Sequence, residues 1–114
     1  MLVVEDEPLI RFYVVELIES AGFPAVGAGD ADEAIAILSV RKDIRVVFTD
    51  IDMPGSMDGL KLAAAIRNRW PPIEIILTSG NSKPPTANIP ARGRYLPKPY
   101  RAEILLGAIR ELAA

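Results

Sequence analysis

The chain has 114 residues, half of them hydrophobic and a quarter charged, with a net charge of −2, the profile of one globular domain with a core of its own. It contains no cysteine and no histidine, which excludes disulfides, thiolate and imidazole metal sites, Ser-His-Asp triads and a phosphohistidine. The charge balance lacks the basic footprint of a nucleic-acid binder, and no apolar run approaches the ~20 residues of a membrane span.

The elements follow one another in a regular alternation. Met1 to Val4 is a short apolar run, read as a first strand that leaves no room for a targeting segment. Pro8 to Ala21 is helical, with Leu9, Phe12, Tyr13, Leu17 and Ile18 on or near one face. Pro8 suits the first turn, and Gly22 ends the helix. Phe23 to Ala28 is a second strand. Asp30 caps a second helix in which Ala31, Ala34, Ile35 and Leu38 follow helical spacing. Arg45 to Thr49 is a third strand. Asp58 to Trp70 is a helix with Leu62, Ala65 and Ile66 inward, stopped by Pro71-Pro72. Ile73 to Leu77 and Arg94 to Leu96 are the fourth and fifth strands. Tyr100 to Leu112 is the last helix, with Leu105, Ala108, Ile109 and Leu112 on one stripe. The alternation calls for a helix between the last two strands. Asn81 to Arg92 carries Pro84, Pro85 and Pro90 there, so only a short or irregular helix is expected.

Strands separated by helices imply parallel pairing and right-handed crossovers, hence an α/β doubly wound sheet spanning a single domain, residues 1–114. Val46-Val47-Phe48 and Ile75-Ile76-Leu77 are apolar on both faces, as strands of such a sheet are. Ligands bind beyond the carboxyl ends of these strands. Glu5-Asp6, Asp50, Thr78 and Lys98 each stand at such an end. Three carboxylates, a hydroxyl and an ammonium in one pocket suit holding a divalent cation and accepting a phosphoryl group on an aspartate.

Seen alone, Asp50 would be a helix cap or loop residue, Lys98 a surface lysine and Thr78 a strand-end residue bonding its own backbone. Together they take other roles. Asp50 is a nucleophile toward phosphorus, giving an acyl phosphate. Glu5 and Asp6 repel each other unless a cation lies near, and an all-oxygen set points to Mg²⁺, with Asp6 a direct ligand and Glu5 acting through water. Glu7 is a solvated residue favouring the helix that follows. Lys98 offsets the carboxylates and then pairs with a phosphoryl oxygen. The Lys98-Pro99 bond is a candidate cis peptide that aims this side chain. Thr78 donates its hydroxyl to a phosphoryl oxygen.

The stretches Val3-Val4-Glu5-Asp6-Glu7, Phe48-Thr49-Asp50-Ile51-Asp52-Met53-Pro54-Gly55, Leu77-Thr78-Ser79-Gly80 and Tyr95-Leu96-Pro97-Lys98-Pro99 resemble a receiver domain of a two-component response regulator over the whole chain. The resemblance implies a flavodoxin-like fold, a five-stranded parallel sheet of order 2-1-3-4-5. It implies that Asp50 takes its phosphoryl group from a phosphohistidine on a sensor histidine kinase or phosphotransfer protein. Asp6, Asp50 and the backbone carbonyl of Asp52 would bind Mg²⁺, with Glu5 assisting. Thr78 would swing toward the phosphoryl group and Tyr95 would turn inward behind it, a two-state switch. Such a chain is cytoplasmic, catalyses only its own phosphorylation and dephosphorylation, binds neither membrane nor nucleic acid directly, and leaves a homodimer open. It is either a stand-alone receiver or one cut from a larger protein.

Some residues depart from the family pattern. Ser56 lengthens the loop before Met57-Asp58-Gly59. Asp52 adds a carboxylate that bears on the lifetime of the modification. Gly80 leaves one side of the pocket open. The proline-rich segment puts the usual signalling interface in doubt. Two rivals share the motifs. A haloacid-dehalogenase-like aspartyl phosphatase would use Asp50 and Asp52, but it does not explain Glu5-Asp6. A receiver-like scaffold that is never phosphorylated has no need of the full set. A flavin module of the same fold would place Glu5-Asp6-Glu7 against a phosphate.

Overall fold

Alternate residues of each strand feed opposite faces of one sheet, and this builds two cores. The structure, a computed structural model, describes residues 1–53, 57–80 and 89–113. Its elements are β1 (Leu2–Val4), α1 (Pro8–Ser20), β2 (Val26–Ala28), α2 (Ala31–Val40), β3 (Val46–Asp50), α3 (Gly59–Arg69), β4 (Glu74–Ser79), β5 (Gly93–Pro97) and α4 (Ala102–Ala113). All strand pairs are parallel, in the order β2-β1-β3-β4-β5, so the doubly wound, flavodoxin-like expectation holds. Leu2, Val4, Val47, Ile75 and Leu77 pack on one face with α2 and α3, through Leu38, Leu62 and Ile66. Val3, Val46, Phe48 and Ile76 pack on the other with α1 and α4, through Val14, Ile18, Leu105 and Ile109.

The helix boundaries come from local chemistry. Glu7 caps α1 by accepting from the Leu9 N–H, and Pro8 occupies the first turn. Gly22 leaves it at φ +95°, a conformation that favours glycine. Asp30 and Asp58 cap α2 and α3, accepting from Glu33 N at 2.8 Å and Lys61 N at 2.9 Å.

Three expectations need correction. In α1 the buried residues are Val14 and Ile18, while Leu9, Phe12 and Tyr13 are 79%, 66% and 59% exposed. The helix is apolar around most of its circumference, so periodicity alone does not select the inward face. β2 begins at Val26, because Phe23 N still donates back to Ile18 O and Pro24 has no N–H for a ladder. The last helix begins at Ala102, with Leu105 N donating to Arg101 O. The expected irregular helix falls largely on residues 81–88, and the loop variant at Ser56 on residues 54–56; both lie outside the described residues.

Candidate functional site

β3 and β4 place the first two site residues side by side. Asp50 is paired in register with Thr78, two residues beyond the pair Phe48 and Ile76. Both side chains therefore leave the sheet on the α1 and α4 face. Asp50 is 4% exposed and Thr78 2%. Both strands run two residues further than their apolar runs, so both residues sit in the ladder itself. Asp50 Oδ1 accepts from the Asp52 N–H at 2.9 Å, and Oδ2 accepts from Lys98 Nζ at 2.6 Å. Behind this carboxylate, the start of α3 lies hard against the strand end. Gly59 N donates to Ile51 O, and a Cβ on Gly59 would stand 2.1 Å from Asp50 O.

β1 brings the acidic pair to the same edge. Carboxylate oxygens of Glu5, Asp6 and Asp50 lie within 4.8 Å of one another. Glu5 is buried, accepts from Glu7 N at 3.1 Å, and its backbone carbonyl accepts from Arg11 Nη1 at 2.8 Å. Its carboxyl is pushed up to about 7, first by burial and then by the charge of Asp50, against the Glu7 hydrogen bond and Lys98, which lower it. Burial alone would lower the Lys98 ammonium, but its hydrogen bond to Asp50 and the charges of Asp50, Glu5 and Asp52 carry the net shift upward. Among the described residues the carboxylates of Glu5, Asp6 and Asp50 face one ammonium, so negative charge is in excess even with Glu5 partly protonated near neutral pH. The donors are all hard oxygens, and the set fits a small divalent cation such as Mg²⁺.

Lys98 follows β5, and its peptide bond to Pro99 is cis. The Thr78 hydroxyl is enclosed and makes no hydrogen bond among the described residues. Among the described residues a Cβ on Gly80 would meet nothing closer than Lys98 Cδ at 4.0 Å. Tyr95 is half-buried in β5, with its hydroxyl 3.5 Å from Ser79 O.

Two features of the site escape sequence reasoning. Ser79 Oγ donates to Asp52 Oδ2 at 2.7 Å, which joins the ends of β3 and β4 and holds the extra carboxylate. Tyr100 packs edge-on against Phe48, with ring centroids 5.6 Å apart. Its hydroxyl is pushed up to about 12 by burial and then by the charges of Glu5 and Asp50.

Residues 1–110 match the family model described as the response regulator receiver domain. The chain is 36% identical over 93% of its length to the nitrogen assimilation regulatory protein NtrX of Azorhizobium caulinodans, of which it spans 24%. It is 32% identical over 98% of its length to the sensor kinase CckA of Brucella abortus, of which it spans 12%. Among solved structures, a response regulator receiver domain protein from Clostridium thermocellum superposes with a TM-score of 0.85 at 27% identity, covering 97% of this chain and 90% of that one. The response regulator TrrA of Thermotoga maritima, solved in complex with Mg²⁺-BeF, superposes with a TM-score of 0.81 at 30% identity, covering 97% and 96%.

Proposed function

We propose, since the chain belongs to the response regulator receiver domain family, that Asp50 is its phosphoacceptor and that residues 1–114 act as one receiver in a phosphorelay. The observation that carries this is the contact of Asp50 Oδ2 with Lys98 Nζ at 2.6 Å, inside a cluster that also holds Glu5 and Asp6.

A carboxylate oxygen of Asp50 attacks the phosphorus of a phosphohistidine on a sensor histidine kinase or phosphotransfer protein. The new O–P bond forms as the N–P bond breaks, and its electron pair returns to the imidazole nitrogen of the donor. Lys98 shifts from the carboxylate to a phosphoryl oxygen, where its hydrogen bond is again charge-assisted. Thr78 gives its unpartnered hydroxyl to another phosphoryl oxygen. Tyr95 then packs into the space behind Thr78, and this passes the modification to the surface. Asp6, Asp50 and the backbone carbonyl of Asp52 would hold Mg²⁺, with Glu5 acting through water. The ion supplies charge neutralisation of the transferring group. Ser79 fixes the Asp52 side chain, so the loop carrying that carbonyl is held against β4. Slow attack by water on the acyl phosphate returns the domain to its first state.

Among the described residues no helix is long and apolar enough to cross a membrane, and we place the domain in the cytoplasm. The dehalogenase-like phosphatase has no support in a chain that belongs to a family of signalling domains. Borohydride trapping tests the chemistry. After incubation with phosphoramidate and Mg²⁺, reduction converts an aspartyl phosphate to homoserine, and peptide mass spectrometry should find it at position 50. Homoserine at another aspartate, or at none, would contradict the assignment.

A further inference from the structure

The other end of the sheet carries a second concave site. The α2–β3 and α3–β4 connections close over a cavity of about 370 Å³ whose lining includes Arg41, Lys42, Arg45 and Arg69. It lies at the amino ends of β3 and β4, on the order of 15 Å from Asp50 along the strands. Four of the chain's 13 lysines and arginines line this one hollow, although the chain as a whole carries a charge of −2. Arg41 is held by Asp43 through two hydrogen bonds of 3.0 and 2.6 Å, which neutralises it. That pairing keeps the Asp43 carboxyl down at about 2, so it stays ionised.

Lys42, Arg45 and Arg69 have no ion-pair partner among the described residues. Three uncompensated cations around one hollow repel each other, and nothing in the packing of the core calls for them there. The floor is apolar. Ile44 and Ile73 are each 6% exposed, and Trp70, Pro71 and Pro72 complete the lining. The Arg69 guanidinium stacks over the Trp70 ring at 4.5 Å, which fixes a cation beside a flat apolar surface.

We infer that this cavity binds a nucleoside phosphate. The volume matches a ligand of one ring system with a polar tail. The proline surfaces and the guanidinium plane that covers the indole suit the planar face of a base. Two unpaired guanidiniums and an ammonium suit a phosphate dianion better than a single carboxylate. The cations are gathered in a hollow and do not track along a groove, so a small ligand fits and a nucleic-acid strand does not. The inference is independent of the role of Asp50.

Trp70 is the only tryptophan in the chain, so its fluorescence reports this cavity directly. The intact chain is titrated with guanosine 5′-monophosphate and adenosine 5′-diphosphate, with free N-acetyltryptophanamide as the inner-filter control. Saturable quenching below millimolar concentration is expected. Guanosine and ribose 5-phosphate, each lacking half of the ligand, should bind about tenfold more weakly, as should nucleotide to an Arg45→Gln/Arg69→Gln double variant that keeps its circular dichroism. Lys42→Gln should weaken binding less. Amide resonances of Ile44 and Ile73 in the unaltered protein should shift with nucleotide. No saturable quenching, unchanged affinity in the double variant, inorganic phosphate binding as tightly as nucleotide, or shifts confined to the surroundings of Lys98 would each overturn the inference.

Discussion

The Thr78 hydroxyl is buried and makes no hydrogen bond among the described residues, and a buried polar group in that state costs about 1–3 kcal/mol. Thr78→Val should therefore stabilise the unmodified domain by about 1 kcal/mol in urea unfolding, while abolishing the spectral response to beryllofluoride and Mg²⁺. Lower stability with the response intact would mean that the hydroxyl is already paired and has no switching role. Lys98 is the opposite case. Its side chain is 30% exposed and faces a carboxylate that is 5% exposed. Lys98→Met leaves Asp50 without its cation, and after discounting for solvent the loss should be about 1–2 kcal/mol. Gly59 has no space for a side chain, because its added Cβ would meet the backbone at Asp50 O and Ile51 Cα. Gly59→Ala should cost about 2 kcal/mol or more and misplace the acceptor carboxylate, to be read from melting temperature and from the rate of phosphorylation together.

At the scale of elements, α1 shows what periodicity can and cannot decide. Its eight large apolar residues surround the helix, so the inward stripe of Val14 and Ile18 emerges only when the sheet is in place. Ile18→Ala should cost about 2–5 kcal/mol, whereas Phe12→Ser should stay within about 0.5 kcal/mol. Equal losses in thermal unfolding would show that the two residues share one core. The cores of β3 and β4 were legible, because Val46 to Phe48 and Ile75 to Leu77 are apolar on both faces, but not their ends, which run on through the polar residues to Asp50 and Ser79. The bond from Ser79 to Asp52 was not, because it joins residues 27 apart that no local pattern connects. Gly59 was equally silent, since its constraint is the approach of the helix start to the backbone at the end of β3.

At the scale of the whole molecule, the sheet brings charges from three strand ends into one small volume, and that concentration is where function and stability meet. Glu5, Asp6 and Asp50 were readable because each stands at or just past a strand end, and the order of the strands then dictates that they meet. The excess of negative charge predicts that Mg²⁺ binding stabilises the fold, by about 2.7 kcal/mol at a hundredfold excess over its Kd. The gain should vanish in Asp6→Asn, and an unchanged gain there would move the ion elsewhere. The central claim is that Asp50 accepts a phosphoryl group at this site. Intact-mass spectrometry after incubation with acetyl phosphate, with and without Mg²⁺ and beside Asp50→Asn, tests it most directly. With Asp50 as the acceptor, a single added phosphoryl group is expected that requires Mg²⁺ and is absent from the variant. No adduct in the unaltered chain, or an adduct that persists in Asp50→Asn, would contradict it.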